Sequence, residues 1–346
     1  MIVSRRGNEW RDDEKLQLET APDVSASTRT FYGAPTCANL EELDAQVGLL
    51  GVPYDQGSPA PGSRLGPNAI RDIKVYQYNT NQHTPGVAQE RGEKGPRGYY
   101  DVDGDRFALA GVTMADCGNV NILAGDVERN YWRITRTVRT IVSRGAMLVA
   151  VGGDHSITAP IVRSFEQVGP IDIVHFDAHH DYFDHNQGNR NMCAMPIRRC
   201  SEMPWVRNIT QIGIRVGGAS REPLDASRAR GNRIITADML DDLGPEQAIE
   251  LVPRSDNMYV TFDIDVMDGA LCPGTGTPEP GGPNYREMRA ALRALAKRGH
   301  VIGMDMVEVA PQFDHGVITA RTASRLIVDF LTAVFDQPDV KRAGPR

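Results

Sequence analysis

The strongest constraint on this chain is a succession of short runs dominated by apolar residues. They are Val47–Val52, Met147–Gly152, Ile171–Phe176, Asn208–Ile214, Met258–Phe262 and His300–Val307. Stretches with helical periodicity lie among them, such as Tyr131–Arg144, Tyr285–Arg298 and Thr319–Phe335. A strand with one wet face would alternate apolar and polar residues; near-continuous apolar runs belong to strands buried on both faces. Strands alternating with helices supply that burial. The pattern predicts an α/β fold, a three-layer α/β/α sandwich around a central, mostly parallel sheet.

The 346 residues leave room for one large domain or two smaller ones. No internal repeat or long linker divides them. Residues 1–35 are polar, lack periodicity and read as an N-terminal arm, and residues 36–346 as a single domain. The breaker-rich stretch Asp55–Arg64 reads as a loop, with a helix opening at Gly66-Pro67. Residues 84–108, rich in Gly, Pro and charge, read as an irregular excursion over the surface.

A net charge of −7 argues against a nucleic-acid binder, which would show a basic face. No apolar run approaches the roughly 20 residues of a membrane helix. The charged N-terminus has no apolar core of a secretory signal. Cys37, Cys117, Cys193, Cys200 and Cys272 are scattered and form no C-x-x-C pair. These features predict a cytoplasmic protein without nucleic-acid or membrane partners, and without a disulfide framework.

Three polar clusters follow predicted strands directly: Gly152-Gly153-Asp154-His155-Ser156, Asp177-Ala178-His179-His180-Asp181, and Asp263-Ile264-Asp265. Functional groups of parallel α/β folds collect where strands end. Asp177, His179 and Asp181 alternate at period two, as do Asp263 and Asp265, so extended segments would aim each set to one side. His155 adds a sixth group. Four ionised carboxylates gathered together need cations. Mixed carboxylate and imidazole ligands suit Mn, Fe, Co, Ni or Zn, and two such ions sharing a water lower its pKa towards neutrality. A lone Asp-x-Asp, or a lone His after a Gly-Gly turn, is more often a helix cap or solvated group. All three clusters together are far more specific. His175, inside a strand, reads as a packed, hydrogen-bonded histidine. His180 should face away from the cluster, and His185 reads as exposed or as a neighbour of the ligands.

The three clusters resemble the patterns of the ureohydrolase family, which includes arginase, agmatinase and guanidinobutyrase. Further matches are Pro61–Pro67, the agmatinase-like Gly274–Gly282, and Asp305-Met306-Val307-Glu308-Val309. The resemblance implies an arginase-like fold and two divalent metal ions per chain, Mn2+ or Ni2+. It implies His155, Asp177, His179, Asp181, Asp263 and Asp265 as their ligands. Asp181 would also accept a hydrogen bond from a bridging hydroxide and shuttle its proton, and Glu308 would bind the substrate guanidinium. The implied reaction is hydrolysis of a guanidino compound to urea and an amine. Family members form trimers or hexamers, so a homo-oligomer is expected, with a hetero-oligomer of paralogues as the alternative.

One departure stands out. Agmatinase-like proteins carry His-Gly-Thr-Pro-Phe-Arg-Arg where this chain has Cys193-Ala194-Met195-Pro196-Ile197-Arg198-Arg199. Cys193 thus replaces an active-site histidine and is a candidate catalytic and substrate-contacting residue, with Phe183 a second substrate contact. Met192 and Met195 make this loop more apolar than usual. The change leaves agmatine, 4-guanidinobutyrate, guanidine, and alkylated guanidines or biguanides such as metformin as substrates. Nickel enters because metformin-hydrolysing relatives use it. A formiminoglutamate-type hydrolase and a non-catalytic partner subunit are the alternative readings.

Overall fold

The computed structural model describes residues 24–25, 29–73, 98–218 and 220–337. Its strands are β1 (Val24–Ser25), β2 (Val47–Val52), β3 (Tyr99–Asp101), β4 (Arg106–Ala108), β5 (Met114–Val120), β6 (Met147–Gly152), β7 (Ile171–Phe176), β8 (Val206–Ile214), β9 (Arg233–Thr236), β10 (Ser255–Asp263) and β11 (Gly299–Val307). Its α-helices are α1 (Gly66–Asp72), α2 (Val127–Ser143), α3 (Thr158–Arg163), α4 (Pro196–Ser201), α5 (Glu222–Ala229), α6 (Ala237–Leu243), α7 (Pro245–Glu250), α8 (Tyr285–Leu295) and α9 (Ile318–Phe335). The main sheet runs β1-β5-β2-β6-β11-β10-β7-β8-β9. Every pairing from β5 to β9 is parallel, and only β1 lies antiparallel, on the β5 edge.

The central strands are buried on both faces, as their composition requires. Along β6, Met147, Val149 and Val151 join one apolar cluster while Leu148 and Ala150 join the other. On the first face the cluster takes in Ile70 of α1, Met288 and Leu292 of α8, and Leu326, Ile327 and Phe330 of α9. On the second it takes in Ile134, Val138 and Ile141 of α2, Ile161 of α3 and Ile197 of α4. The 4- and 3-residue spacing on α2 puts that stripe on one face of the helix. Asp126 caps α2 through the Arg129 amide, and a reciprocal Asn284–Glu287 capping box starts α8. This is the expected three-layer arrangement.

Besides the short β1, β3 and β4, two strands of the main sheet escape the apolar pattern. β5 carries Asp116 and Asn119, and β9 has only four residues. Asp116 is buried because Arg71 meets it with two contacts of 2.9 Å. The same carboxylate accepts the Phe31 amide at 2.8 Å, and the Arg71 guanidinium stacks 4.0 Å from the centre of the Phe31 ring. Phe31 and Tyr32 are therefore buried, although the polarity of their stretch predicts an arm. The packed region reaches upstream of residue 36 because two aromatic residues suffice to anchor a stretch with no periodicity of its own. Of the expected excursion at 84–108, residues 84–97 lie outside the described residues, and the rest includes the two-stranded ribbon β3–β4.

The sheet order positions the site. β6 and β7 are consecutive in this sheet's chain order, yet β11 and β10 lie between them. Such a break opens a crevice over the carboxyl ends of parallel strands. All three polar clusters, and Glu308, leave the sheet there.

Candidate metal centre

The loop leaving β6 is shaped by Gly153 and Asp154. A Cβ on Gly153 would lie 1.9 Å from the Tyr54 carbonyl oxygen, so only glycine lets this loop rest on the one leaving β2. The buried Asp154 carboxylate accepts the amides of Gly57 at 2.7 Å and Ser156 at 3.0 Å. These bonds hold the turn that carries His155.

His155 points Nδ1 into a ring of carboxylates. Oxygens of Asp177, Asp181 and Asp263 lie 3.1, 3.0 and 3.1 Å from it. Its Nε2 meets the Thr261 hydroxyl at 2.9 Å. Below, Asp305 accepts hydrogen bonds from Thr158 at 2.9 Å and Tyr259 at 2.7 Å. With Nε2 turned to the Thr261 hydroxyl, the buried Nδ1 is the ring atom left to face the carboxylates, and it forms no hydrogen bond of regular geometry with them. A second group adjoins the first. His179 Nδ1 lies 3.0 Å from Asp265 and 3.4 Å from Asp177. Asp177 thus touches both groups.

This donor set fits divalent cations. Two unit charges about 4 Å apart repel by about 4 kcal/mol at an effective dielectric near 20. Several such pairs among four crowded carboxylates would offset much of the roughly 5–15 kcal/mol that holds a domain folded. Protons relieve the repulsion when no cation does. Burial, and then Asp265 and Asp177, push Asp263 well above the carboxylate range; burial and Asp177 push Asp265 up to about 6. Burial favours neutral imidazoles, but the adjacent carboxylates outweigh it, holding His155 well above the usual value and His179 up to about 12. Burial also opposes ionisation of Asp177, yet His175, His155 and His179 hold it well below the usual range. Cations would replace those protons.

The six expected residues do converge, but not as extended rows. Asp177 accepts the His179 amide at 2.6 Å and Asp263 the Asp265 amide at 2.9 Å, so each pair closes a local turn. Asp181 has a positive φ of 47°. Side chains that hydrogen-bond their own backbone bend the chain, and the bend replaces the strand periodicity.

Glu308 follows β11 with φ 61°, a second left-handed residue beside the cluster. Such a conformation costs a non-glycine residue on the order of 1–3 kcal/mol and gathers at functional sites. The Glu308 side chain accepts the His155 amide at 2.8 Å. Burial, then the charge of Asp154, raises its pKa well above the ordinary range. Asp154 is itself raised to about 6 by burial.

The Cys193 amide donates to the Gly57 carbonyl at 3.0 Å. Burial pushes its thiol up, and the charges of Glu308 and Asp181 push it further, so the sulfur stays protonated. A protonated thiol is neither a proton acceptor nor a nucleophile. Phe183 is half-buried, with its ring 5.2 Å from that of His180. His185 is exposed and accepts the Gly188 amide, away from the cluster.

Two residues escaped the sequence reading. Arg215, just after β8, gives its guanidinium to backbone carbonyls of Asp265, Val266, Met267, Glu279 and Pro280 at 2.8–3.0 Å. It ties the Asp265 turn to the loop 274–282, from which Thr277 donates to Asp265 at 3.0 Å. Gln211, fully buried in β8, reaches His175. The available signal was polarity out of place: a glutamine inside an apolar strand and an arginine at its end.

Histidines and aspartates converging over the carboxyl ends of a mostly parallel sheet, with a buried glutamate beside them, make a candidate metal site of an α/β fold. The Arginase family model matches residues 45–333. Proclavaminate amidinohydrolase of Streptomyces clavuligerus is 34% identical over 325 residues, covering 92% of this chain and 96% of its own. Its solved structure superposes with a TM-score of 0.72 at 31% identity, over 91% of this chain and 99% of its own. Agmatinase of Bacillus subtilis (strain 168) is 33% identical over 84% of this chain and 92% of its own. Guanidinopropionase of Pseudomonas aeruginosa is 32% identical over 90% and 94%. The chain belongs to the arginase family and is a hydrolase of C–N bonds in linear amidines.

Proposed function

We propose that this enzyme hydrolyses a cationic, linear guanidino compound to urea and an amine, using two divalent metal ions, Mn2+ or Ni2+. The observation that carries the reading is the buried Nδ1 of His155, facing three carboxylates 3.0–3.1 Å away while the His155 amide binds Glu308. His155, Asp177, Asp181 and Asp263 would hold one ion; His179 and Asp265, with Asp177 shared, would hold the other. The chemistry two such ions supply is a water acidified towards neutral pH.

Glu308 receives the guanidinium. A buried glutamate that resists ionisation alone becomes a carboxylate when a cation arrives, and the charge-assisted hydrogen bonds orient the substrate. Asp181 accepts the proton shed by the attacking water. Oxygen bonds to the guanidinium carbon, the C–N bond to the alkyl amine breaks, and the amine leaves with a proton. A guanidinium and water become urea and alkylammonium, and a biguanide such as metformin becomes guanylurea and dimethylammonium, so atoms and charge balance.

The loop over the site narrows the substrate. Arg190 pairs with Asp184 at 3.1 Å and Glu202 at 2.6 Å, Arg198 with Glu222 at 2.9 Å, and Arg199 with Asp184 at 2.8 Å and Glu202 at 2.9 Å. Among the described residues of this loop, each arginine is thus engaged with acidic partners rather than with a substrate carboxylate. Half-buried Met192, neutral Cys193 and the Phe183 ring add apolar wall. This supports agmatine or an alkylated guanidine or biguanide such as metformin ahead of 4-guanidinobutyrate. In the same reading the enzyme is cytoplasmic and works as a trimer or hexamer.

The test is urea release from agmatine, 4-guanidinobutyrate, arginine, guanidine and methylated guanidines, and release of guanylurea and dimethylamine from metformin, with Mn- and Ni-loaded protein side by side. Urea from a carboxylate-free compound is expected. Formamide from formiminoglutamate without urea would replace this reading, and silence with both metals would favour a partner subunit. His155→Ala and Asp265→Ala should each abolish turnover and lower metal content; near-normal turnover in either would sink the two-metal mechanism.

A further inference from the structure

Asp177 is the carboxylate on which both halves of the cluster depend, and its orientation is set from behind by a buried chain. Its Oδ2 lies 2.7 Å from His175 Nε2 and 3.1 Å from His155 Nδ1, while Oδ1 faces His179. His175 is fully buried in β7. Its other nitrogen, Nδ1, lies 3.1 Å from Gln211 Nε2. The same Gln211 amide nitrogen donates to the His180 carbonyl at 2.6 Å, and Gln211 Oε1 accepts the Ser227 hydroxyl at 2.8 Å. Asn232 donates to Ser227 at 3.0 Å. Gln211 and Ser227 are fully buried and Asn232 nearly so.

The polarity of this chain runs one way. Asn232 has an N–H to give, so Ser227 accepts there and gives its own hydrogen to Gln211 Oε1. The Gln211 NH2 then has to face His180 O and His175 Nδ1, because a flipped amide would set Oε1 against a carbonyl oxygen. His175 Nδ1 accordingly accepts, Nε2 carries the hydrogen, and that hydrogen points at Asp177. The neighbouring β-strands β7 and β8 hold the donor and the acceptor in register, with His175 opposite Gln211.

We propose that His175 is a positioning residue for the metal pair: its Nε2–H, fixed in tautomer by Gln211, Ser227 and Asn232, aims the Asp177 carboxylate between the two metal positions. The proposal rests on the two-metal reading above. His175 is no ligand, since both its nitrogens are already engaged. Outer partners of this kind typically contribute 10–100-fold in metal affinity.

The experiment measures Mn2+ affinity by competition with a fluorescent chelator, and the melting temperature of the metal-free chain, for wild type, His175→Phe, His175→Gln and Gln211→Met. Phenylalanine keeps the volume and removes the donor; glutamine restores an N–H near the Nε2 position. His175→Phe should lose about 10-fold or more in Mn2+ affinity, and His175→Gln should recover most of it. Gln211→Met, further from the site, should lose several-fold and serves if His175→Phe does not fold. Wild-type affinity in a folded His175→Phe, or equal loss in His175→Phe and His175→Gln, overturns the positioning role alone. Wild-type protein that takes up no Mn2+ or Ni2+ overturns the two-metal reading itself and this role with it.

Discussion

The backbone amide of His155 donates to the Glu308 side chain at 2.8 Å, and the Glu308 amide donates to the Gly153 carbonyl at 2.9 Å. The loop carrying the proposed metal ligand and the residue proposed to bind guanidinium are thus clasped twice, across the ends of neighbouring strands β6 and β11. The proposed guanidinium and metal positions therefore belong to one clasped unit. The left-handed backbone at Glu308 is what turns its side chain back onto that loop.

Glu308→Gln keeps the shape and the amide contact but removes the charge. It should lower kcat/KM by about 100- to 1000-fold, the usual loss when a preorganised electrostatic partner is removed. Metal content should stay at the wild-type level. Steady-state kinetics with metal analysis checks this, and a matching fall in bound metal would place Glu308 in the ligand set instead.

Removing metal should make stability pH-sensitive. In the metal-free fold His179 keeps its proton up to about 12, and Asp154 and Asp265 keep theirs up to about 6. The folded chain then binds these protons more tightly than the unfolded one, so its stability falls as pH rises. The acids act from about pH 4 to 6, and His179 from about pH 6.5 upwards. Cations take the protons' place, so the melting-temperature gap between metal-loaded and chelated protein should widen between about pH 6 and about pH 9. A gap that narrows over that range contradicts the assignment.

Cys193→His should shift the substrate ranking towards agmatine. The histidine restores a group able to carry a proton beside Glu308 and Asp181, where the thiol cannot. A relative gain of about 10-fold or more in kcat/KM for agmatine over alkylated guanidines is expected. An unchanged ranking would mean that position 193 only shapes the wall.

Asp116→Ala should destabilise the fold by about 3–5 kcal/mol, because it strands the buried Arg71 cation. It also frees the Phe31 amide, so the segment around Phe31 and Tyr32 should lose protection in hydrogen exchange. Urea unfolding and exchange measure the two effects, and a loss below about 1 kcal/mol would show that solvent reaches Arg71.

Much of this protein was legible in its sequence. Two-sided burial leaves a strand no option but an apolar run, so Val47–Val52, Met147–Gly152 and Ile171–Phe176 carry their boundaries in their composition. The polar clusters were equally plain, because charged groups directly after apolar strands have few reasons to be there. β5 was hidden, since Asp116 is tolerable in a buried strand only beside Arg71, a residue distant in the chain.

Residue identities determined the fold class and the chemistry of the site. What tertiary structure alone decided is how those groups meet. Asp177, Asp181 and Asp263 converge on one nitrogen of His155 because turns bend their segments and the sheet order brings β6, β10 and β7 to one crevice. The clasp by Arg215 and the chain from Asn232 to His175 likewise join residues from separate elements. Sequence carries local periodicity and residue chemistry; hydrogen bonds between distant segments exist only once packing has fixed their distance and direction.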